Sequence, residues 1–464
     1  MALWRSPSAI WPSTVEESPM SATTKEILDL NRFDASRTEG FPAELAERVA
    51  KRQATFGASS VLFYEQPIEM VSAQGAYLYD AGGRKYLDVY NNVPSVGHCH
   101  PRVVEAIARQ VGELNIHTRY LNRVVEAYTE NLLSKFPAGL SNVVLTCTGS
   151  ESNDLALRIA RIGTGAEGFI VTEAAYHGNT ALVTEVSPSS LRKRKPAAFV
   201  AIIPAPAARD GMSVASNFAA SVEQAINELN SRGIKFAALI VDTIFSSDGI
   251  YADPAGFLKE AVDVVHRAGG LLIADEVQPG FGRTGGSLWG FERHGVTPDI
   301  VTMGKPMGNG FPMGGVVTRP DLLQRFCEET GYFNTFGGNP VAAAAGHAVL
   351  RVIEEEGLIE RSATVGGYFK QSLQALQSRH SEIGDVRGAG LFIGLDFVDP
   401  ATGEPDSTRA THAINQLRHN SILIGAAGKY GATLKIRPPL CFSNEDVDLF
   451  TGTLDIILQA RRAA

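Results

Sequence analysis

The sequence predicts an α/β protein built on a mostly parallel sheet with helices over both faces. Two observations carry this: short runs of apolar, largely branched residues alternate with longer amphipathic segments through the middle of the chain, and several runs end in residues that bear chemistry. Strands that are apolar on both sides must be covered on both sides, and intervening helices supply that cover.

The strand-like runs are Val143 to Cys147, Phe169 to Thr172, Ala238 to Asp242, Leu271 to Asp275 and Ile300 to Met303, with helical patterns such as Asn217 to Leu229 and Pro254 to Ala268 between them. The first run leads into Thr148-Gly149-Ser150-Glu151-Ser152-Asn153-Asp154, turning at the glycine into a helix striped by Leu155, Ile159 and Ile162. Ser150 suits the N-cap. The unpaired N–H groups of the first turn, with the hydroxyls of Thr148 and Ser150, then form a seat for a phosphate. Capping without any ligand is the plainer alternative, and the segment matches neither the dinucleotide fingerprint nor the P-loop.

The run ending Ala274-Asp275-Glu276-Val277-Gln278 places two carboxylates at the C-terminal edge of a buried strand, where ligands of open α/β sheets gather. A buried aspartate needs a cationic partner or several donors, and a protonated pyridine nitrogen would serve; otherwise Asp275 caps the next element. The last run breaks at Met303-Gly304-Lys305-Pro306-Met307-Gly308-Asn309-Gly310 and delivers Lys305 into a glycine-rich turn. Such an amine attacks a carbonyl only where its site favours the neutral form or ties it up covalently. Taken alone, a turn lysine is more often solvated.

Composition fits a large enzyme: 464 residues, 44% hydrophobic and 20% charged, with a formal charge of -8 that argues against nucleic-acid binding. Cys99, Cys147, Cys327 and Cys441 are scattered without a Cys-x-x-Cys pair, as in a reducing cytoplasm. No apolar run approaches the eighteen or so residues of a membrane span. The first forty residues, rich in Ser, Thr, Pro and Glu, lack a signal-peptide core and read as an arm, with Met20 an alternative start. His98, Cys99 and His100 do not make a metal site, because alternate residues of an extended segment point to opposite faces and no second cluster completes the ligands. The basic run Arg192-Lys193-Arg194-Lys195 is a solvated face or, in a minority reading, attracts a phosphorylated substrate.

A phosphate seat, Tyr176-His177-Gly178, a strand-end aspartate and a turn lysine follow one another in order. With Val96-Gly97-His98-Cys99-His100-Pro101, Gly280-Phe281-Gly282-Arg283 and Asn334-Thr335-Phe336-Gly337-Gly338-Asn339-Pro340, this series resembles the class III aminotransferases, pyridoxal 5′-phosphate enzymes of fold type I, from about Tyr77 to Ile457. Asn91-Asn92-Val93 and Pro438-Pro439-Leu440-Cys441-Phe442 add likeness to the subgroup holding alanine-glyoxylate aminotransferase 2 and the phospholyases of phosphoethanolamine and phosphohydroxylysine.

The resemblance implies a seven-stranded large-domain sheet with a smaller α+β lobe. Residues 1–40 form the arm, 41–95 the N-terminal part of the small domain, 96–340 the cofactor-binding domain, and 341–464 the rest of the small domain. It implies that Lys305 holds the cofactor covalently and then moves the proton between Cα and C4′, with Asp275 on the pyridine nitrogen and Tyr176 on one ring face. Val277 would pack on the other face and Gln278 would reach the phenolic oxygen. Thr148, Gly149 and Ser150 seat the phosphate, with His177 alongside. Thr335 would reach the phosphate of a neighbouring subunit's cofactor in an obligate homodimer, with a tetramer a further possibility.

Four family positions differ. An arginine before the Pro-Pro pair and a gating glutamate are replaced by Lys435 and Ser247, while Asp242 stands for the usual Glu and Phe245 for the usual Gln neighbourhood. Arg437, on the same face as Lys435 if the segment is extended, would take the substrate carboxylate. These changes disfavour 2-oxoglutarate. The expected activity is transfer of an amino group from an amine or amino acid donor to a small 2-oxo acid acceptor such as pyruvate or glyoxylate. The alternatives are a phospholyase, and a silent binding protein of the same fold, against which the intact Lys305, Asp275 and Tyr176 argue.

Overall fold

The computed structural model describes residues 29–463 apart from 35, 37, 38 and 192, so most of the expected arm, with Met20, and Arg192 of the basic run lie outside the described residues. Its centre is a seven-stranded sheet. Across the sheet the strands run Asn142–Thr146, Gly314–Thr318, Ile300–Met303, Leu271–Asp275, Phe236–Asp242, Gly168–Thr172 and Val200–Ile203. Only Gly314–Thr318 is antiparallel to its neighbours. Ile273, Ala274, Leu239, Ile240, Ile300 and Val301 are at most 1% exposed, as a sheet covered on both faces requires.

Register decides what meets at the C-terminal edge. Asp242 pairs with Asp275, and Asp275 with Thr302, so the ends of three parallel strands lie side by side, with Lys305 three residues beyond Thr302. Two expected strands match to the residue, while Val200–Ile203 and Gly314–Thr318 add two that were not read. The helix expected from Pro254 begins at Leu258, because Gly256 sits at φ +86°, outside any right-handed helix.

Two four-stranded sheets flank this body. One joins Met70–Gln74, Tyr77–Asp80 and Lys85–Asp88 to Ile422–Leu423; the other is Ile383–Ala389, Phe392–Phe397, Thr433–Ile436 and Gly425–Ala427. The helices Pro340–Glu355 and Leu358–Gln377 are separated by Gly357 at φ +60°.

Arg283, 1% exposed in the turn region after the Asp275 strand, ties the central body to the flanking strands. Its guanidinium donates to the carbonyls of Leu391, at 3.3 Å, and Pro438, and its own carbonyl accepts from Leu391 N at 3.0 Å and Ser362 Oγ at 2.8 Å. Burial, and Arg437 nearby, push the Arg283 guanidinium down to about 9.

Candidate active site

The helix Gly149–Thr164 begins where the Asn142–Thr146 strand ends. Its N-cap is Thr148 rather than the expected Ser150: Thr148 is extended, at φ -148° and ψ 157°, and its Oγ1 accepts Glu151 N at 3.1 Å. The Glu151 carboxylate reaches back to Cys147 N at 2.8 Å. The N–H groups of Gly149 and Ser150, first in the helix, have no intrahelical acceptor, which suits an anion. Ser150 instead accepts Asn179 N at 3.2 Å on its hydroxyl. A side chain at Gly178 would run into Ser150 at 2.5 Å, and one at Gly149 into Val277 at 2.9 Å, so both glycines hold open close approaches that a Cβ would fill.

A cavity of about 270 Å³ lies against this helix start, lined by Thr148, Gly149, Ser150, Tyr176, His177, Gly178, Asp242, Asp275, Val277, Gln278 and Lys305. Nine of the ten residues expected at the cofactor are thus brought together. Thr335 is not: it is exposed and does not line this chain's cavity. The amine of Lys305 is lowered in pKa by burial and by Arg437, against the opposing pull of Asp275 and Asp242. Burial raises the Tyr176 phenol.

Asp275, 4% exposed, receives three donors. His177 Nδ1 lies 2.7 Å from Oδ2, Asn153 Nδ2 donates to Oδ2 at 2.9 Å, and Val277 N donates to Oδ1 at 3.1 Å. Asn153 also donates to His177 O at 2.7 Å and accepts Thr302 Oγ1 at 2.6 Å, which fixes its amide. Sequence reading missed Asn153. The available signal was a polar residue on the helical face of Ala156 and Ala160, all buried.

Asp242 was read as a departure but not as part of the site. Burial, and then the neighbouring Asp275, raise its pKa. Phe245, at φ +52°, turns into the core with its ring centroid 5.4 Å from Phe218 and 5.7 Å from Phe257, while the Ser246 hydroxyl meets Asp242. Gln278 Nε2 donates to Ser246 Oγ at 2.6 Å, and Gln278 Oε1 accepts from Arg437 Nη1. Ser247, expected at the gating position, is buried.

Lys435 and Arg437, at 3% and 9% exposure, lie outside the cavity lining, and Arg437 adjoins it through Gln278. Among the described residues neither forms an ion pair, and Arg437 Nε has no hydrogen-bond partner. Arg437 rests over the Tyr90 ring at 4.5 Å, and Lys435 lies 5.7 Å from the Phe392 ring centroid. Burial, and then Arg437, push the Lys435 amine well below its usual range.

The other candidates have structural partners. His98 lies on Asp88 at 2.7 Å and His100 on Glu356 at 3.1 Å. In the basic run Arg194 pairs with Glu185, and Lys193 and Lys195 are exposed. Among the described residues no helix is long and apolar enough to cross a membrane.

The family model described as Aminotransferase class-III matches residues 63–458. An alanine–glyoxylate aminotransferase 2 homologue of Arabidopsis thaliana, named mitochondrial, is 40% identical over 88% of this chain and 86% of its own. An ethanolamine-phosphate phospho-lyase homologue of Caenorhabditis elegans is 39% identical over 89% of this chain and 93% of that relative. Among solved structures, a phospholyase from Arthrobacter in complex with phosphoethanolamine superposes with TM-score 0.86 at 42% identity, over 89% of this chain and 99% of that one.

Proposed function

The chain belongs to the class III aminotransferases, enzymes of pyridoxal 5′-phosphate, and we propose that it moves an amino group from a primary amine or amino acid to a small 2-oxo acid such as pyruvate or glyoxylate. The observation that carries the choice of substrate is the buried pair Lys435 and Arg437, without a carboxylate partner among the described residues, next to the Lys305 cavity. A buried guanidinium with no carboxylate at ion-pair distance is costly, and an anionic substrate group beside Arg437 and Lys435 offsets that cost. A gating carboxylate is absent at Ser247, which supports a small acceptor over 2-oxoglutarate.

The cavity fits the cofactor: N–H groups at a helix start for its phosphate, a carboxylate held by three donors for its ring nitrogen, and an amine of lowered pKa. Bound there, pyridoxal phosphate supplies an electron sink for the pair left when a Cα proton departs. Lys305 Nζ takes and returns that proton, a role that burial assists by lowering its pKa. Gly149 and Ser150 seat the phosphate. Tyr176 and Val277 wall the ring and exclude water, and Asn153 and His177 hold Asp275 in place.

Assembly as a homodimer is part of the reading. Tyr120, Leu121, Phe333 and Phe336 are 63%, 96%, 44% and 71% exposed around Thr335, with His117 stacked on Tyr120 at 5.3 Å and edge-on to Phe333 at 6.0 Å. An apolar patch of this kind is suited to a second copy, which would carry Thr335 to the other cavity. The scattered thiols support a reducing compartment such as the cytoplasm.

A second reading is elimination of phosphate from a phosphorylated amino alcohol. The same two cations suit a phosphate, and relatives at 39% and 42% identity carry phospholyase names. The deciding experiment incubates the holoenzyme with amino donors with pyruvate, with glyoxylate, and with no acceptor. Acceptor-dependent loss of amine supports transfer. Many turnovers of phosphoethanolamine to phosphate, ammonia and acetaldehyde without a 2-oxo acid would replace it with elimination.

A further inference from the structure

Asp242, Ser246, Gln278 and Arg437 form one hydrogen-bonded line from the cofactor cavity to the buried cations. Ser246 Oγ donates to Asp242 Oδ2 and accepts Gln278 Nε2 at 2.6 Å, and Gln278 Oε1 accepts Arg437 Nη1. Ser246, Gln278 and Arg437 are all buried, at 0%, 8% and 9% exposure. Chemistry gives the line a direction. Arg437 has only donors to offer, so the Gln278 atom that meets it is the oxygen and the NH₂ faces Ser246. The Ser246 hydroxyl accepts there and points its one proton at Asp242, which also accepts Ile244 N at 3.0 Å and Ser246 N at 3.3 Å. The opposite orientation would set NH₂ against a guanidinium, donor against donor.

We infer that Ser246 is a positioning residue for substrate recognition: it fixes the Gln278 amide so that its oxygen holds the Arg437 guanidinium in place for the substrate's anionic group. This rests on the reading of Arg437 as an anion contact. Without the Ser246 hydroxyl the Gln278 amide loses the partner that orients it, and Arg437 loses the one hydrogen-bond acceptor that its side chain has among the described residues.

The test measures, by calorimetry on the holoenzyme, the affinity for two unreactive probes, propionate and inorganic phosphate. The variants are Ser246→Ala, Ser246→Thr, Arg437→Met and the Ser246→Ala/Arg437→Met double variant. Ser246→Ala should weaken binding of the preferred anion by roughly tenfold, the scale of one oriented hydrogen bond to a charged group, and raise KM for the anionic substrate with kcat little changed. Ser246→Thr, which keeps the hydroxyl, should recover most of that loss. In the Arg437→Met background Ser246→Ala should change nothing further. An equal loss in both backgrounds, or no loss in the single variant, overturns the inference while leaving Arg437 as an anion contact. Undiminished anion binding by Arg437→Met, or binding of neither probe by the parent enzyme, removes the reading of Arg437 and the inference with it.

Discussion

Asp242 and Asp275 are register partners on adjacent parallel strands and line the same cavity, yet they are held differently. Asp275 is met by His177, Asn153 and Val277 N, whereas Asp242 has its pKa raised by burial and by Asp275 itself. Asp242 is met instead by Ile244 N, Ser246 N and the Ser246 hydroxyl, which turn it toward the Gln278–Arg437 line. Asp275 is the carboxylate placed for the cofactor's ring nitrogen in the proposed reading. Asp275→Asn should therefore cost roughly a hundredfold or more in kcat/KM, whereas Asp242→Asn stays within about tenfold of the parent. Steady-state kinetics on the two variants check this, and comparable losses would contradict it.

Lys305 lies at the end of the Ile300–Met303 strand with its amine lowered in pKa. Borohydride reduction of the holoenzyme followed by peptide mapping should place the cofactor on Lys305. Lys305→Ala should lose the trapped adduct and at least about a thousandfold in turnover, while still binding cofactor without a covalent link. A label found on another lysine would remove the assignment.

Asn153 serves Asp275, His177 O and Thr302 at once. Asn153→Ala leaves those groups short of partners, which costs about 1–3 kcal/mol for a buried polar group and should lower the melting temperature by a few degrees. Cofactor affinity should fall with it. Asn153→Asp should be worse, since it sets a second carboxylate on Asp275. Thermal melts and cofactor titrations distinguish the two variants.

The lowered pKa of Lys435 gives a pH dependence whose sign can be worked out. Its charge is lost at a lower pH than an ordinary lysine's, first because of burial and then because of Arg437. An anion held by that charge is bound best below the lowered pKa, and its KM should climb as pH rises through it, before the usual lysine range is reached. Lys435→Met should raise KM at pH values below that lowered pKa and flatten the climb. A climb of the same steepness in the variant would assign it to another group.

Thr335 is exposed beside Phe336 and away from its own chain's cavity. If it serves a partner's phosphate, Lys305→Ala and Thr335→Ala chains, each impaired alone, should regain activity when mixed and allowed to exchange subunits. One site of the mixed dimer would then hold an intact lysine and an intact threonine. No recovery in dimers shown to have exchanged would argue against the shared site.

The parts of the fold legible in sequence were those whose signal is local. Leu271 to Asp275 and Ile300 to Met303 are unbroken apolar runs that end in polar or glycine residues, and both match to the residue. Val200–Ile203, the sheet's edge strand, is an apolar run of the same kind stopped by Pro204, and its local signal was present but not taken up. Gly314–Thr318 was hidden because it opens on glycines; a Cβ at Gly314 would lie 2.7 Å from Thr146 Oγ1, so packing demanded a residue with little strand propensity. The site divides in the same way. Lys305, Asp275 and Thr148-Gly149-Ser150 sit at strand ends and turns that sequence marks. Asn153, 122 residues from Asp275, and Ser246, 32 from Gln278, find their partners only through folding.

Arg283 bears on how such a chain can be recombined. A guanidinium at 1% exposure, with the carbonyls of Leu391 and Pro438 as its acceptors, makes the segment after the cofactor aspartate and the segment carrying Lys435 and Arg437 inseparable parts. A chimera that imports a relative's C-terminal portion to change substrate choice must bring two carbonyls to the same spots, or it strands a cation in the interior. Crossovers placed so that Arg283, Leu391 and Pro438 come from one parent should yield folded proteins, and those that divide them should not.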